Sequence, residues 1–208
     1  MLIPLNKLVE HFKLNITGVL HIGAHECEEY DAYIKENINI NKIFWIEAMP
    51  DKITKMRNQN KDLLLYQGVI SDKDNEEINF NITNNGESSS ILELGTHKTH
   101  HPHVHVVKQV KMKTCRADTL IKNENINMNN VNFLNLDIQG VELKALKGLG
   151  TYLNNIQYIY TEVNTESVYK DCALIDEIDS FLKNNGFVRK CEAIYEQFGW
   201  GDAFYMRI

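Results

Sequence analysis

The chain has 208 residues, of which 43% are hydrophobic, so it is long and apolar enough for one folded domain with a full core. The formal net charge of -6 argues against general nucleic-acid binding, because contact with a phosphate backbone needs clustered Lys and Arg. No apolar run is long enough for a signal-peptide core or a membrane span, and we therefore expect a cytoplasmic protein.

The first 17 residues are followed by a strand and a glycine turn. Apolar residues recur at helical spacing within residues 1–17, which predicts an amphipathic helix packed on the edge of a sheet. Residues 19–22 predict an apolar strand, and Gly23-Ala24 has almost no side-chain bulk where the chain must bend. Such strand-turn-helix units bind nucleotides at the carboxyl ends of parallel strands. An ordinary turn without a ligand is the alternative.

Strands and helices then alternate along most of the chain. The predicted strands are residues 42–47, 63–70, 131–137, 156–162, 187–193 and 202–208, and helices follow near Tyr30, Pro50, Val141 and Leu174. This order implies an α/β fold with a mostly parallel sheet and a closing antiparallel pair. Residues 76–114 differ, because two alternating β segments flank a serine-rich and histidine-rich loop. We interpret this segment as an insertion near the site.

Three predicted parallel strands end on an acid, namely Glu47, Asp137 and Glu162. Since parallel strands point their carboxyl ends at one crevice, we expect these acids to meet beside the glycine turn. Glu47 follows Gly23 at roughly the 20-residue distance at which a second-strand acid binds ribose hydroxyls. An N-cap or an exposed charge is its alternative. Asp72 is placed to accept a hydrogen bond from an adenine amino group, with a turn-forming role as the alternative.

The chain resembles the FkbM-type family of S-adenosylmethionine-dependent methyltransferases of class I. The resemblance rests on the order of HIGAHECEE (21–29), FWIEAMP (44–50), GVISDKD (68–74), SSSIL (88–92), FLNLDIQGVELKALKGL (133–149), IYTEVN (159–164) and DAFYMR (202–207). It implies one methyltransferase domain over residues 1–208. The implied fold is a seven-stranded, mostly parallel Rossmann-like sheet with an antiparallel last strand and helices on both faces.

Four residues depart from the usual pattern of that family. The family usually has Asp where His21 stands, Gly where Cys27 stands, Lys where Asn135 stands and Glu where Gln139 stands. His21 can still hydrogen-bond the methionine part of a cofactor. The loss of the lysine and the glutamate leaves Asp137 as the surviving acid of its motif.

The resemblance implies a site for S-adenosylmethionine. The expected cofactor-binding residues are His21, Gly23, Ala24, Glu29, Glu47, Ala48, Ser71, Asp72 and Asp137. Of these, His21, Gly23 and Ala24 would hold the methionine half. Glu29 and the neighbouring His25 would face the position from which the methyl group leaves.

Family members typically methylate hydroxyl groups, often on sugars. A sugar hydroxyl is a poor nucleophile at neutral pH, so the site needs a proton acceptor or a cation. We expect Asp137 to be the general base, with Glu162 and His25 as catalytic residues that orient the acceptor. A divalent metal held by oxygens of Asp137 and Glu162 is the alternative.

The serine loop (84–90) and the histidine-rich connector (97–105) are expected to bind the acceptor together with Trp200. The residues expected to contact it are Ser89, Ser90, His101, His103 and Trp200. Clustered imidazoles can also bind a transition metal or titrate near neutrality. The connector lacks the spaced Cys or Glu partners of dedicated metal sites. We therefore interpret it as an acceptor-binding or surface loop and assign no metal ligands.

The sequence thus predicts an S-adenosylmethionine-dependent O-methyltransferase that acts on a carbohydrate hydroxyl. The alternatives are a hydroxyl of a small metabolite or nucleic acid, and a catalytically silent module that binds the cofactor or a metal. A whole protein and one domain of a larger glycan-modifying protein both fit the sequence. No membrane partner is expected.

Overall fold

The structure is a computed structural model that describes residues 1–208. The strands are β1 Val19–Ile22, β2 Ile43–Glu47, β3 Leu64–Gln67, β4 Val69–Ser71, β5 Glu77–Thr83, β6 Val106–Arg116, β7 Phe133–Leu136, β8 Tyr158–Asn164, β9 Phe187–Tyr195 and β10 Trp200–Arg207. The helices are α1 Leu5–Phe12, α2 Tyr30–Lys35, α3 Pro50–Gln59, α4 His97–His100, α5 Ala117–Asn123, α6 Glu142–Gly148 and α7 Ile175–Asn184. Two short 3-10 helices are Ile40–Lys42 and Gly150–Asn155.

The main sheet has seven strands in the order β3-β2-β1-β7-β8-β10-β9. In this spatial order, neighbouring strands from β3 through β2, β1 and β7 to β8 pair in parallel. Strand β10 pairs antiparallel with both β8 and β9. This confirms the predicted α/β sheet with an antiparallel last strand. The chain order reverses between β1 and β7, and a crevice opens at the carboxyl ends of the strands at such a point.

The two faces of the main sheet bury different helices. Because side chains alternate along a strand, Val19 packs with α1, α2 and α3, whereas Leu20 and Ile22 pack with α5, α6 and α7. Both clusters consist mainly of residues that are less than 9% exposed. This confirms the prediction of helices on both faces. No helix in the structure combines the length and the apolar character needed to cross a membrane.

Helix α1 packs on a face of the main sheet rather than on its edge, so the predicted position of this helix is wrong. Leu5 and Leu8 are each 2% exposed and share one apolar cluster with Phe133 of β7 and Phe204 of β10. These strands are interior ones, and their aromatic side chains provide the surface that the two leucines cover. The helix ends before Lys13, which has a left-handed backbone.

The predicted single strand at residues 63–70 consists of two strands. β3 lies at the edge of the main sheet, whereas β4 pairs with β6 in a second sheet of order β4-β6-β5. Gly68 forms the junction, where its N–H donates to the Glu47 carbonyl at 2.9 Å. A Cβ at Gly68 would lie 2.9 Å from Leu120 Cδ2, so a side chain at this junction would have to displace Leu120. The continuous apolar run hides this change of sheet, because both strands contribute buried residues.

Candidate active site

A cavity of about 520 Å³ lies at the carboxyl ends of the central strands. Its volume is within the range of about 300–1,000 Å³ that is typical of small-molecule sites. The predicted site residues that line it are His21, Gly23, His25, Glu29, Glu47, Ala48, Ser89, His101, His103, Asp137, Glu162 and Trp200. The fold thus brings the strand-end acids, the glycine turn and the two loops to one place.

Four predicted site residues do not line this cavity, namely Ala24, Ser71, Asp72 and Ser90. Ala24 is 1% exposed and packs in the apolar cluster below the turn. Ser71 pairs with Arg116 of β6, and Asp72 accepts from Ser71 Oγ at 3.2 Å. Both residues therefore follow β4 away from the crevice. Ser90 Oγ donates to the carbonyl of Gln139 at 2.8 Å and supports the cavity wall from behind.

The glycine turn is held by β2 and by β7. Gly23 has a φ of 92°, and a Cβ there would lie 1.7 Å from the Asp137 carbonyl oxygen. The N–H of Gly23 donates to the Ile46 carbonyl at 2.9 Å. The N–H of His25 donates to Glu47 Oε2 at 2.7 Å. The backbone just after β7 approaches so closely that only glycine fits at this position, whether or not a ligand binds.

Glu47 is a buried acid that serves the turn as well as the cavity. Its Oε1 accepts from the N–H of Met49 at 2.8 Å, while Oε2 accepts from His25. Burial raises the pKa of Glu47, and these backbone hydrogen bonds oppose that shift. The carboxylate joins β1 to β2 and still lines the cavity.

Cys27 occupies a left-handed backbone position with a φ of 57°. Glycine adopts this conformation without strain, which accounts for the glycine that the resemblance led us to expect here. The side chain of Cys27 is 4% exposed and packs in the apolar cluster. Burial raises the pKa of this thiol to about 12, so it is not a nucleophile at neutral pH.

His21 lines the cavity and takes part in a chain of buried hydrogen bonds. Asn135 Nδ2 donates to Tyr33 Oη at 2.8 Å, and Tyr33 Oη lies 3.0 Å from His21 Nδ1. With the tyrosine proton directed at Nδ1, the ring carries its own hydrogen on Nε2, which is 4.0 Å from Glu29 Oε2. Burial lowers the pKa of His21, and the ring stacks on Trp45 at 4.7 Å. His21 is therefore a neutral donor at the methionine end of the predicted cofactor site.

Three carboxyl groups gather beside the turn. Asp137, Glu142 and Glu162 each place an oxygen within 4.8 Å of the others. Glu142 is 1% exposed, and its Oε1 accepts from the N–H groups of Ile138 at 3.0 Å and Gly140 at 3.1 Å. Sequence reasoning missed Glu142, because an acid in the first turn of a helix is the ordinary pattern there.

The pKa values of all three carboxyl groups in this cluster are raised. The side chain of Asp137 is exposed at the cavity, although protein surrounds it. Burial is the main cause that raises its pKa to about 6, and the charge of Asp202 is the second. Burial raises the pKa of Glu142 to about 7. Burial and the charge of Asp137 raise the pKa of Glu162 well above its usual value. At neutral pH Asp137 is therefore mainly ionised and can accept a proton, and the raised pKa of Glu162 favours its protonated form.

Asp202 and Tyr160 complete the cavity floor and were also missed. Tyr160 Oη donates to Asp202 Oδ2 at 2.5 Å, and the N–H of Leu2 donates to the same oxygen at 2.7 Å. The N–H of Ile3 donates to Tyr160 Oη at 2.9 Å. The sequence places both residues in strands, but their convergence depends on the insertion of β10 beside β8.

The predicted acceptor side of the cavity carries neutral imidazoles. His97 is 7% exposed, its ring lies 5.0 Å from the ring of His101, and the ring of His101 lies 6.1 Å from that of His103. Burial and the charge of His101 lower the pKa of His97 to about 4, and burial also lowers the pKa of His101. His100 instead pairs with Glu166 Oε1 at 2.6 Å. Neutral imidazoles can both donate and accept hydrogen bonds.

An apolar wall faces this polar side. Met49, Val69 and Phe80 form one buried cluster and line the cavity next to Glu47 and Ala48. Such a wall suits a flat aromatic ring beside a group that binds hydroxyls.

The chain is similar to one family model and to solved structures. A family model described as "Methyltransferase FkbM domain" matches residues 21–189. No curated protein matches the chain. Among solved structures, an uncharacterized protein from Listeria monocytogenes serotype 4b is similar, with a TM-score of 0.49 and 9% identity. That match covers 97% of this chain and 67% of the other.

Proposed function

This chain belongs to the FkbM methyltransferase family, and we propose that it transfers a methyl group from S-adenosylmethionine to a hydroxyl group of a carbohydrate. Family membership makes it a methyltransferase. The cofactor, the hydroxyl and the carbohydrate are our proposal. The observation that carries it is the position of Asp137, a carboxylate with a pKa of about 6, inside a cavity of cofactor size.

The side chains of the cavity fit S-adenosylmethionine. Glu29 offers a carboxylate for the methionine ammonium, and Glu47 offers one for the ribose hydroxyls. The apolar wall of Met49, Val69 and Phe80 matches an adenine ring. The cofactor, when bound, supplies an electrophilic methyl group on its sulfonium.

Asp137 is the proposed general base. With a pKa of about 6 it is mainly ionised at neutral pH and accepts the proton that the acceptor hydroxyl loses as its oxygen takes the methyl group. Burial and the charge of Asp137 raise the pKa of Glu162, which favours the protonated form, and a protonated carboxyl group can donate to an acceptor oxygen. His25 lines the cavity with an Nε2 that has no hydrogen-bond partner, while its Nδ1 lies 2.5 Å from Glu28. This free nitrogen fits the proposed role of His25 in orienting the acceptor.

The acceptor side supports a carbohydrate over a charged or apolar substrate. Its lining combines neutral imidazoles of His97 and His101, serine hydroxyls of Ser88 and Ser89, and the ring of Trp200. Hydroxyl and imidazole groups each donate and accept, as sugar hydroxyls do. An aromatic ring provides an apolar surface for the C–H face of a sugar.

Two measurements test the proposed function. Isothermal titration with S-adenosylmethionine measures cofactor binding, and mass spectrometry measures methyl transfer onto panels of glycans, small hydroxylated metabolites and nucleic acids. We expect cofactor binding and a mass increase on glycans. Transfer only to another panel would replace the carbohydrate. Binding without transfer to any acceptor would support the catalytically silent module instead.

Replacement of Asp137 tests the mechanism. We expect Asp137→Asn to lower methyl transfer by about 10²–10⁴-fold, the usual effect of a lost general base, with cofactor affinity largely kept. Asp62→Asn is the matched control, because Asp62 is exposed and lies outside the cavity. Undiminished transfer by Asp137→Asn would remove Asp137 from the mechanism.

A further inference from the structure

The side-chain amide of Gln139 lies between two carboxyl groups. Its Nε2 donates to Asp137 Oδ1 at 2.5 Å and to Glu162 Oε2 at 3.2 Å. A carboxamide nitrogen carries two hydrogens, so each carboxyl group receives one of them. A single neutral group therefore bridges the proposed general base and its neighbour.

The orientation of this amide is fixed from its other end. Tyr169 Oη donates to Gln139 Oε1, and Tyr169 has 0% exposure. Because the ionised carboxylate of Asp137 can only accept, Nε2 faces it, and the Tyr169 hydroxyl then donates to Oε1. The backbone is held as well, because Gln139 has a φ of 58° and Ser90 Oγ donates to its carbonyl at 2.8 Å.

The position between these acids is one that a cation would otherwise fill. The oxygens of Asp137, Glu142 and Glu162 lie within 4.8 Å of one another, and oxygen clusters of this kind suit hard divalent cations. Like charges at such distances need a cation or protons between them. The two hydrogens of Gln139 Nε2 occupy that space, so a cation would have to break both hydrogen bonds and displace the amide.

We propose that the amide of Gln139 takes the place of a metal cation between Asp137 and Glu162 and positions Asp137 for proton transfer. The cluster then binds divalent cations weakly, and methyl transfer needs none. The positioning role rests on the proposed function, whereas the weak cation binding stands without it.

Manganese titration followed by electron paramagnetic resonance tests the cation part, because free Mn²⁺ gives a signal that bound Mn²⁺ loses. We expect Gln139→Glu to bind Mn²⁺ at least about tenfold more tightly than the unsubstituted protein, since it adds a carboxylate to the cluster and removes the amide. Gln59→Glu is the matched control: it adds the same charge at an exposed site and is expected to bind as the unsubstituted protein does.

Tyr169→Phe provides a second variant in case Gln139→Glu does not fold. It frees Oε1 of Gln139, so the amide can turn away and Mn²⁺ affinity is expected to rise. Mn²⁺ bound by the unsubstituted protein as tightly as by Gln139→Glu, and lost in Glu162→Gln, would overturn the proposal.

Chelation tests the same proposal in the reaction. We expect methyl transfer by the unsubstituted protein to be unchanged by EDTA, and loss of transfer that Mn²⁺ restores would overturn the proposal. If no acceptor is methylated at all, the proposed function fails, and the manganese titration still decides the cation part.

Discussion

Replacement of Glu142 with Gln is expected to remove part of the pH dependence of folding stability. Glu142 is 1% exposed, and burial raises its pKa from 4.5 to about 7. The folded state therefore binds this proton more tightly than the unfolded state does. The stability that the proton contributes is fully present below about pH 4.5 and is lost as the pH rises through about 7.

The magnitude follows from the same pKa values. A rise from 4.5 to about 7 corresponds to about 3 kcal/mol of unfolding free energy. Asp137 and Glu162 also have raised pKa values, so they act in the same direction. The lowered pKa values of His21, His97 and His101 act in the opposite direction, so the effect of Glu142 is measured as the stability difference between Glu142→Gln and the unsubstituted protein at each pH.

Urea denaturation at pH 5, 6, 7 and 8 measures this effect. Gln at position 142 keeps an Oε1 that can accept from Ile138 and Gly140, and it carries no charge. We expect Glu142→Gln to be more stable than the unsubstituted protein by up to about 3 kcal/mol at pH 8 and by less than about 1 kcal/mol at pH 5.

The control for this experiment is another glutamate at a helix start. Glu177 Oε2 accepts from the N–H of Leu174 at 3.0 Å but is exposed to water. Glu177→Gln is expected to keep the pH dependence of the unsubstituted protein. The reasoning about Glu142 is refuted if the stability difference between Glu142→Gln and the unsubstituted protein does not grow between pH 5 and pH 8.

Two further substitutions test the turn and the floor of the site. Gly23→Ala is expected to lower the unfolding free energy by more than about 2 kcal/mol in urea and to abolish binding of S-adenosylmethionine, because its Cβ would lie 1.7 Å from the Asp137 carbonyl oxygen at a φ of 92°. Tyr33→Phe is expected to lower it by about 1–3 kcal/mol, because His21 Nδ1 and the Asn135 amide lose their buried partner.

Each of these substitutions has a matched control. Gly186 also has a positive φ, of 82°, but a Cβ there would lie no closer than 3.4 Å to any neighbour. Gly186→Ala should therefore show only the backbone strain of about 1 kcal/mol, and an equal loss in Gly23→Ala would contradict the clash with β7. Tyr195 is 42% exposed, so Tyr195→Phe should leave stability unchanged. A neutral Tyr33→Phe would show that its hydroxyl does not bridge the two side chains.

The strand-end acids show what the sequence could predict. Glu47, Asp137 and Glu162 each follow an apolar run, and parallel strands must direct their carboxyl ends to one crevice. Local pattern and one topological rule were therefore enough to bring these acids and Gly23 together. The same rule does not say which residues beyond a strand stay at the crevice.

The structure differs from the sequence-based expectation where the position of a residue depends on its pairing partners. Ser71 and Asp72 follow an apolar run as Glu47 does, but Gly68 transfers that strand to the second sheet, and no local pattern records the transfer. Asp202 reaches the cavity only because β10 pairs with β8. In the sequence, Glu142 has the position of an ordinary acid in the first turn of a helix. Its hydrogen bond from the N–H of Ile138 is visible only in the structure.

The central position of β10 has a consequence for the order in which the protein assembles. This strand follows all others in the chain, yet it lies between β8 and β9, and its Asp202 accepts from the N–H of Leu2, 200 positions away. Contacts of such long sequence separation have a high cost in loop-closure entropy and slow folding. A nascent chain that has not yet added β10 therefore lacks a closed cavity floor. A bound cofactor can stabilise only the completed fold and cannot guide the earlier steps.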